Sequence, residues 1–307
     1  MTKVFVDGGA GTTGLQIRER LADRRDVEVL VLPEEQRKDA AARRDALNAA
    51  DIVILCLPDD AAREAVALIS NDSTRVIDAS TAHRVAPGWI YGFPEVAGRD
   101  AVANAKRVSN PGCYSTGFIA LVAPLVQAGL IPADAALSCN AVSGYSGGGK
   151  NMIAEFEEAT HPTAWRSYAL KLNHKHVPEM RERSGLAVSP IFAPSVANLF
   201  SGMIVEVPLH LSTLPGRPTA AALRDALAAH YAGSPIVRVV SDYDESTLAI
   251  ERLTGTDRLD LFVFGDDANS QVRLVAALDN LGKGAAGAAA QNLNLMAGLP
   301  ETEGLRL

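Results

Sequence analysis

Cys113 is one of three cysteines in the chain and the only one whose neighbours suit nucleophilic chemistry. It follows Asn110-Pro111-Gly112, a turn-forming run, and opens a long apolar stretch with helical spacing. A thiol at that junction sits at a helix N-terminus, where unpaired N–H groups and the positive end of the dipole favour a thiolate and stabilise an oxyanion formed on attack. Cys56 and Cys139 lie instead within the runs 52–57 and 137–140 and read as inert core thiols. Three thiols, widely spaced, fit neither a disulfide framework nor a zinc pair.

A thiolate nucleophile needs an acid–base partner, and the chain has six histidines. His210 falls within an alternating strand and His230 ends an alanine-rich helix, so both are set aside. In His174-Lys175-His176-Val177-Pro178-Glu179 two imidazoles bracket a lysine at a Pro-Glu helix start, a poor place for a core histidine. Both are candidate catalytic residues. No further histidines or acids cluster nearby in sequence, so no metal site is expected.

The second constellation is Gly8-Gly9-Ala10-Gly11-Thr12-Thr13-Gly14, a Gly-x-x-Gly-x-x-Gly variant between a first strand and a helix. Glycines there let the backbone approach a pyrophosphate, and the helix aims its free N–H groups at the phosphates. Gly8, Gly11, Thr12, Thr13 and Gly14 are therefore cofactor candidates, with Pro58 and Ser80 just past the third and fourth strands. The end of the second strand should choose between NAD and NADP. Glu34 and Glu35 stand where an NAD acid would, yet Arg37 and Lys38 follow at once and offer a clamp for a 2′-phosphate. The pattern leans to NADP(H), with a solvated loop as the bland alternative.

These groups need elements to carry them. Runs at 4–6, 27–32, 52–57 and 76–77 read as buried parallel strands, and 14–24, 39–49 and 60–70 as helices between them, with Asp59 or Asp60 placed to cap the third. That alternation implies a doubly wound α/β sheet. Beyond it, 203–211 alternates as a strand, and 259–264 with 271–278 reads as a hairpin. A length of 307 residues favours two domains, expected at 1–112 with 284–307 and at 113–283.

Composition closes other classes. With 48% hydrophobic residues the chain has the means to build a sizeable core. Twenty-nine basic against 36 acidic side chains give a net charge of −7, so nucleic acid is not an expected partner. The longest apolar tract, 117–130, is broken by Pro124, Gln127 and Gly129, so no membrane span is expected, and the N-terminus lacks the apolar core of a signal peptide. The expected location is the cytoplasm. Gly144 to Lys150 has P-loop spacing, but Asn151 stands where a hydroxyl should hold magnesium. A nucleotide-sensing protein without catalysis remains a separate alternative.

Taken together, the glycine turn at 8–14, Ser109 to Thr116, the loop Ser143-Gly144-Tyr145-Ser146-Gly147-Gly148-Gly149-Lys150, and His174 to Glu179 resemble the N-acetyl-γ-glutamyl-phosphate reductase family in its shorter form. The similarity spans nearly the whole chain, including the closing segment 280–292. It implies NADPH-dependent reduction of an acyl phosphate to a semialdehyde in arginine biosynthesis, through a thioester on Cys113, with His176 favoured over His174 as acid and base. It also implies substrate-binding roles for Asn110, Ser143, Gly144, Ser146 and Lys150. Arg84, Arg166 and Lys171 are, with Lys150, candidate partners for the α-carboxylate. The similar aspartate-semialdehyde dehydrogenases offer the alternative of a shorter, amino-bearing substrate. Their second domain implies an α+β fold with a largely antiparallel sheet and a homo-oligomer, dimer or tetramer.

Overall fold

A computed structural model describes all residues, 1–307. The chain divides into two compact units, Met1–Pro111 with Ala285–Leu305, and Gly112–Gly284 with Arg306–Leu307.

The first unit holds β1 (Thr2–Asp7), α1 (Thr12–Leu21), β2 (Val27–Leu30), α2 (Ala40–Ala49), β3 (Ile52–Leu55), α3 (Asp59–Leu68), β4 (Arg75–Asp78), β5 (Ile90–Tyr91), α4 (Pro94–Ala97), α5 (Arg99–Asn104) and β6 (Arg107–Ser109). Its six strands are all parallel, in the order β2-β1-β3-β4-β6-β5. Successive residues of β1 and β3 feed opposite cores. Val4, Val6, Ile52 and Ile54 join Ile17, Leu21 and Leu293 on one face, while Phe5, Val53 and Leu55 join Leu47, Ala62 and Ala65 on the other. Both faces are covered, which is why these strands are apolar without alternation. The sheet is doubly wound, and its order reverses at β1, placing the glycine turn at the switch point.

Two local expectations need correction. Neither Asp59 nor Asp60 caps α3: the N-cap residue is Pro58, and the Asp59 carboxylate accepts instead from the backbone N–H and hydroxyl of Thr81. The first helix starts at Thr12, so Gly14 lies within its first turn. A Cβ there would stand 2.5 Å from the Gly8 carbonyl oxygen, so the glycine is what lets α1 pack onto the loop. Asp39 does cap α2, accepting from the Ala42 N–H at 2.7 Å.

The second unit holds α6 (Cys113–Gln127), β7 (Ser138–Gly144), α7 (Gly149–Glu157), β8 (Trp165–Ser167), α8 (His176–Arg183), β9 (Ile191–Ala197), β10 (Met203–His210), α9 (Ala220–His230), β11 (Val237–Val239), β12 (Leu259–Asp266) and β13 (Gln271–Leu278). Its seven strands run β11-β12-β13-β10-β7-β9-β8, with four antiparallel and two parallel pairings. The expected hairpin closes with Asp266 opposite Gln271.

Helix α6 is apolar on all sides and buried accordingly. It reaches the sheet closely because Gly117 leaves room for Val205, whose Cγ2 would lie 2.8 Å from a Cβ. Pro124 within the helix has no N–H for the Ala120 carbonyl, and the Tyr231 hydroxyl donates to that oxygen at 2.8 Å. The helix that begins at Cys113 is thus fixed along its length.

Candidate active site

The glycine turn and its candidate dinucleotide cradle lie in the first unit. Gly8, at φ +82°, takes a conformation that disfavours any side chain, and a Cβ there would stand 2.3 Å from the Cys56 carbonyl oxygen. Helix α1 has Gly11 as N-cap, with no capping side chain and no acid in its first turn. The amides of Thr12, Thr13 and Gly14 therefore face out of the helix without intrahelical acceptors. The Thr12 hydroxyl is buried beside them without a hydrogen-bond partner. A cavity of about 690 Å³ opens here, lined by Gly8, Gly9, Ala10, Glu34, Glu35, Arg37 and Lys38, with Arg18 and Arg43 at its wall. An orphaned hydroxyl, a backbone cradle and a basic rim fit a dinucleotide diphosphate.

Around this turn the remaining candidates are well anchored. Pro58 is the N-cap residue of α3. The Ser80 hydroxyl donates to Asp78 Oδ2 at 2.7 Å, and His83 Nδ1 lies 2.6 Å from the same oxygen, its ring stacked on Trp89. Asp78 and His83 were not singled out from sequence. Asn110 spends its side chain within the first unit: Nδ2 donates to the Ala285 carbonyl at 3.0 Å, and Oδ1 accepts from Asn292.

The candidate nucleophile lies in the second unit. Cys113 is the first residue of α6, with Gly112 as N-cap, and it is half-buried. Burial pushes the Cys56 thiol up to about 12 and raises that of Cys139 further still, the latter being fully enclosed in β7. Cys113 alone combines access with a helix N-terminus.

An aromatic group surrounds the residue next to it. The Tyr114 ring lies 6.0 Å from His176, 6.4 Å from His174 and 6.5 Å from Tyr168, centroid to centroid. Burial raises the phenols of Tyr114 and Tyr168 well above their ordinary range, and the charge of Cys113 adds to this in both. Tyr168 thus packs against the residue that follows Cys113, a placement no local pattern announced. His174 and His176 meet edge to face at 4.7 Å, and His174 Nδ1 accepts the backbone N–H of His176 at 3.2 Å. That bond ties the His174 ring to the start of α8.

In the glycine loop, the backbone N–H groups of Gly144, Tyr145 and Ser146 bond to the carbonyls of Gly202, Leu199 and Phe200 at 2.9, 2.9 and 3.0 Å. Amides so committed do not cradle a triphosphate, which adds to Asn151 in weighing against the P-loop alternative. The Ser143 hydroxyl donates to the Gly144 carbonyl, and the Ser146 hydroxyl accepts from Asn280. Lys150 and Lys171 are exposed, Arg166 is paired with Glu155, and Arg84 is buried with its Nε on the Asn110 carbonyl at 3.1 Å. No group of three histidine, cysteine or acidic side chains is placed to hold a metal.

Comparison with known proteins agrees with this geometry. Residues 3–105 match the family description "Semialdehyde dehydrogenase, NAD binding domain", and 113–280 match "Semialdehyde dehydrogenase, dimerisation domain". Aspartate semialdehyde dehydrogenase II from Vibrio cholerae superposes with a TM-score of 0.70 at 18% identity, covering 96% of this chain and 98% of that one. The aspartate semialdehyde dehydrogenase from Francisella tularensis does so at 0.70 and 14%, covering 96% and 100%. Fold and site thus define an oxidoreductase of the semialdehyde dehydrogenase class.

Within that class the sequence discriminates further. The chain is 55% identical to the N-acetyl-gamma-glutamyl-phosphate reductase of Brucella ovis over 96% of its own length and 99% of that protein's. The Brucella anthropi protein of the same name gives 55%, over 96% and 98%. The chain belongs to the N-acetyl-gamma-glutamyl-phosphate reductase family.

Proposed function

We propose that the protein reduces N-acetyl-γ-glutamyl phosphate to N-acetylglutamate 5-semialdehyde with NADPH, releasing phosphate, and that Cys113 is its nucleophile. The observation that carries the assignment is the position of Cys113 as the first residue of α6, while desolvation raises the thiols of Cys56 and Cys139.

His176 takes the thiol proton as Cys113 Sγ attacks the acyl carbon, and the bond from that carbon to the phosphate oxygen breaks. The positive end of the α6 dipole stabilises the oxygen that bears charge during the attack. When bound, the reduced nicotinamide supplies the hydride that reduces the resulting thioester. His176 then gives its proton to the hemithioacetal oxygen and takes it back as the carbon–sulfur bond breaks and the aldehyde leaves. Thr12, Thr13 and Gly14 would hold the dinucleotide diphosphate by their amides. Arg37 and Lys38 on the cavity rim would hold a 2′-phosphate, the basis for preferring NADPH to NADH.

No helix is long and apolar enough to cross a membrane. Cysteines that form no disulfide suit a reducing compartment, the cytoplasm. The dimerisation match supports a homo-oligomer, dimer or tetramer.

The test is spectrophotometric, run in reverse with N-acetylglutamate semialdehyde, phosphate and NADP⁺, and with aspartate semialdehyde as comparator. Wild type is expected to reduce NADP⁺ with the acetylated substrate, and Cys113→Ala is expected to be inactive with cofactor binding retained. Activity in that variant, or preference for the amino-bearing substrate, would defeat the assignment.

A further inference from the structure

Glu179 is a charged residue that the mechanism above leaves unused, and at 1% exposure it lies in the interior of the second unit. Its two oxygens are divided across the head of α6. Oε1 accepts the Gly112 N–H at 2.8 Å, and Oε2 accepts the Ser115 hydroxyl at 2.9 Å. Gly112 immediately precedes Cys113, and Ser115 lies two residues beyond it. On α8, Glu179 follows His176 by three residues, one helical turn along the same face, and both side chains are buried.

A carboxylate at a helix N-terminus is favoured by the same field that would favour a thiolate at Cys113. Two anions at one helix end oppose each other, so the carboxylate already present makes the second ionisation harder. Other titratable groups on the neighbouring elements are Tyr114, whose ring meets Tyr168, His174 and His176, and Lys283, which precedes the Gly284 packed on Cys113.

We infer that Glu179 is a positioning residue: it ties the head of α6 to α8, so that Cys113 and His176 keep one geometry, and its charge holds Cys113 as a thiol until the histidine takes the proton. This rests on Cys113 being the nucleophile. It makes free reactivity and turnover move in opposite directions, which a purely structural contact does not do.

The experiment compares wild type with Glu179→Gln and Ser115→Ala, reading iodoacetamide alkylation of the Cys113 peptide by mass spectrometry across pH, together with turnover and thermal melting. Gln keeps an acceptor for the Gly112 N–H but removes the charge. Its alkylation midpoint is expected about one pH unit to the acid side of wild type, while turnover falls about tenfold. Ser115→Ala leaves the carboxylate charged with one donor fewer, so its midpoint moves to the alkaline side. A midpoint that stays at the wild-type pH in both variants overturns the inference, as does turnover of Glu179→Gln within about twofold of wild type. A lowered melting temperature with unmoved midpoints marks a structural contact and also overturns it. Cys113→Ala run alongside separates the levels: if that variant is active, the nucleophile assignment itself falls. If it is inactive and the midpoints do not move, only the role of Glu179 falls.

Discussion

Gly284 packs so tightly on Cys113 that a Cβ at residue 284 would stand 2.9 Å from the Cβ of Cys113 and 3.3 Å from its Cα. The nearest atoms are at the root of the side chain and on the backbone, so a rotamer change relieves nothing. Gly284→Ala is expected to push the head of α6 aside, costing about 1–3 kcal/mol of stability as overpacking does. A displacement near 1 Å at a nucleophile lowers turnover about a hundredfold. Thermal melting and steady-state kinetics check this together. A variant with wild-type kcat would show that the contact does not hold Cys113 in its working position.

Thiol labelling should be selective, with a sign set by burial. A raised thiol pKa leaves less thiolate at a given pH, and thiolate is the reactive form. Cys56, raised to about 12, carries roughly one thiolate in ten thousand molecules at about pH 8, and Cys139 carries fewer. Cys113 is therefore expected to be alkylated first and to account for the loss of activity, while Cys56 labels only as the pH climbs towards its own range. Peptide mapping after partial alkylation decides the matter. A Cys139→Ala arm completes it: that variant should keep its activity, and its inactivation would move the nucleophile to β7.

The cofactor preference has its own test in the cavity beside the glycine turn. Arg37 and Lys38 share that wall with Glu34 and Glu35, and Arg37 sits only 3.9 Å from the exposed Glu34, a weak pairing that leaves it free to bind phosphate. Replacing both basic residues by alanine is expected to weaken NADPH binding at least about tenfold, the scale of a lost charge-assisted contact. NADH, lacking the 2′-phosphate, should change by less than about threefold. Fluorescence titration in the absence of substrate reads both constants, and parallel losses for the two cofactors would count against the clamp.

The parts of the site legible in sequence are those whose signal is local. The turn at 8–14 is carried by glycine spacing, and Cys113 by a Pro-Gly turn directly before an apolar helix. The alternation of 203–210 and the hairpin of β12 with β13 follow from period-two burial. What escaped depends on partners far along the chain. Asp59 has the residue type of a helix cap, yet Thr81, 22 residues on, supplies better donors. Glu179 sits in a motif noticed for its histidines, but its hydrogen bonds reach back 67 and 64 residues to α6. Asn110 adjoins the nucleophile turn, and its side chain is committed to Ala285, 175 residues away. Tyr168 follows an edge strand with no periodicity of its own.

The two histidines should separate by their opposite duties. His174 Nδ1 accepts the backbone N–H of His176, which fixes the proton of a neutral His174 on Nε2 and makes that ring part of the start of α8. Asparagine carries an acceptor at a matching position, so His174→Asn is expected to retain most of the turnover, whereas His174→Ala removes the acceptor and should lose more. No such substitute exists for a proton carrier: His176→Asn is expected to lose about a hundredfold or more, the typical contribution of a general acid–base group. The pH dependence adds a second reading. The limb of the kcat/KM profile that reports the proton carrier should vanish in His176→Asn and persist in His174→Asn. If it persists in the former and vanishes in the latter, the proton carrier is His174, and the hydrogen bond at the start of α8 must break during turnover.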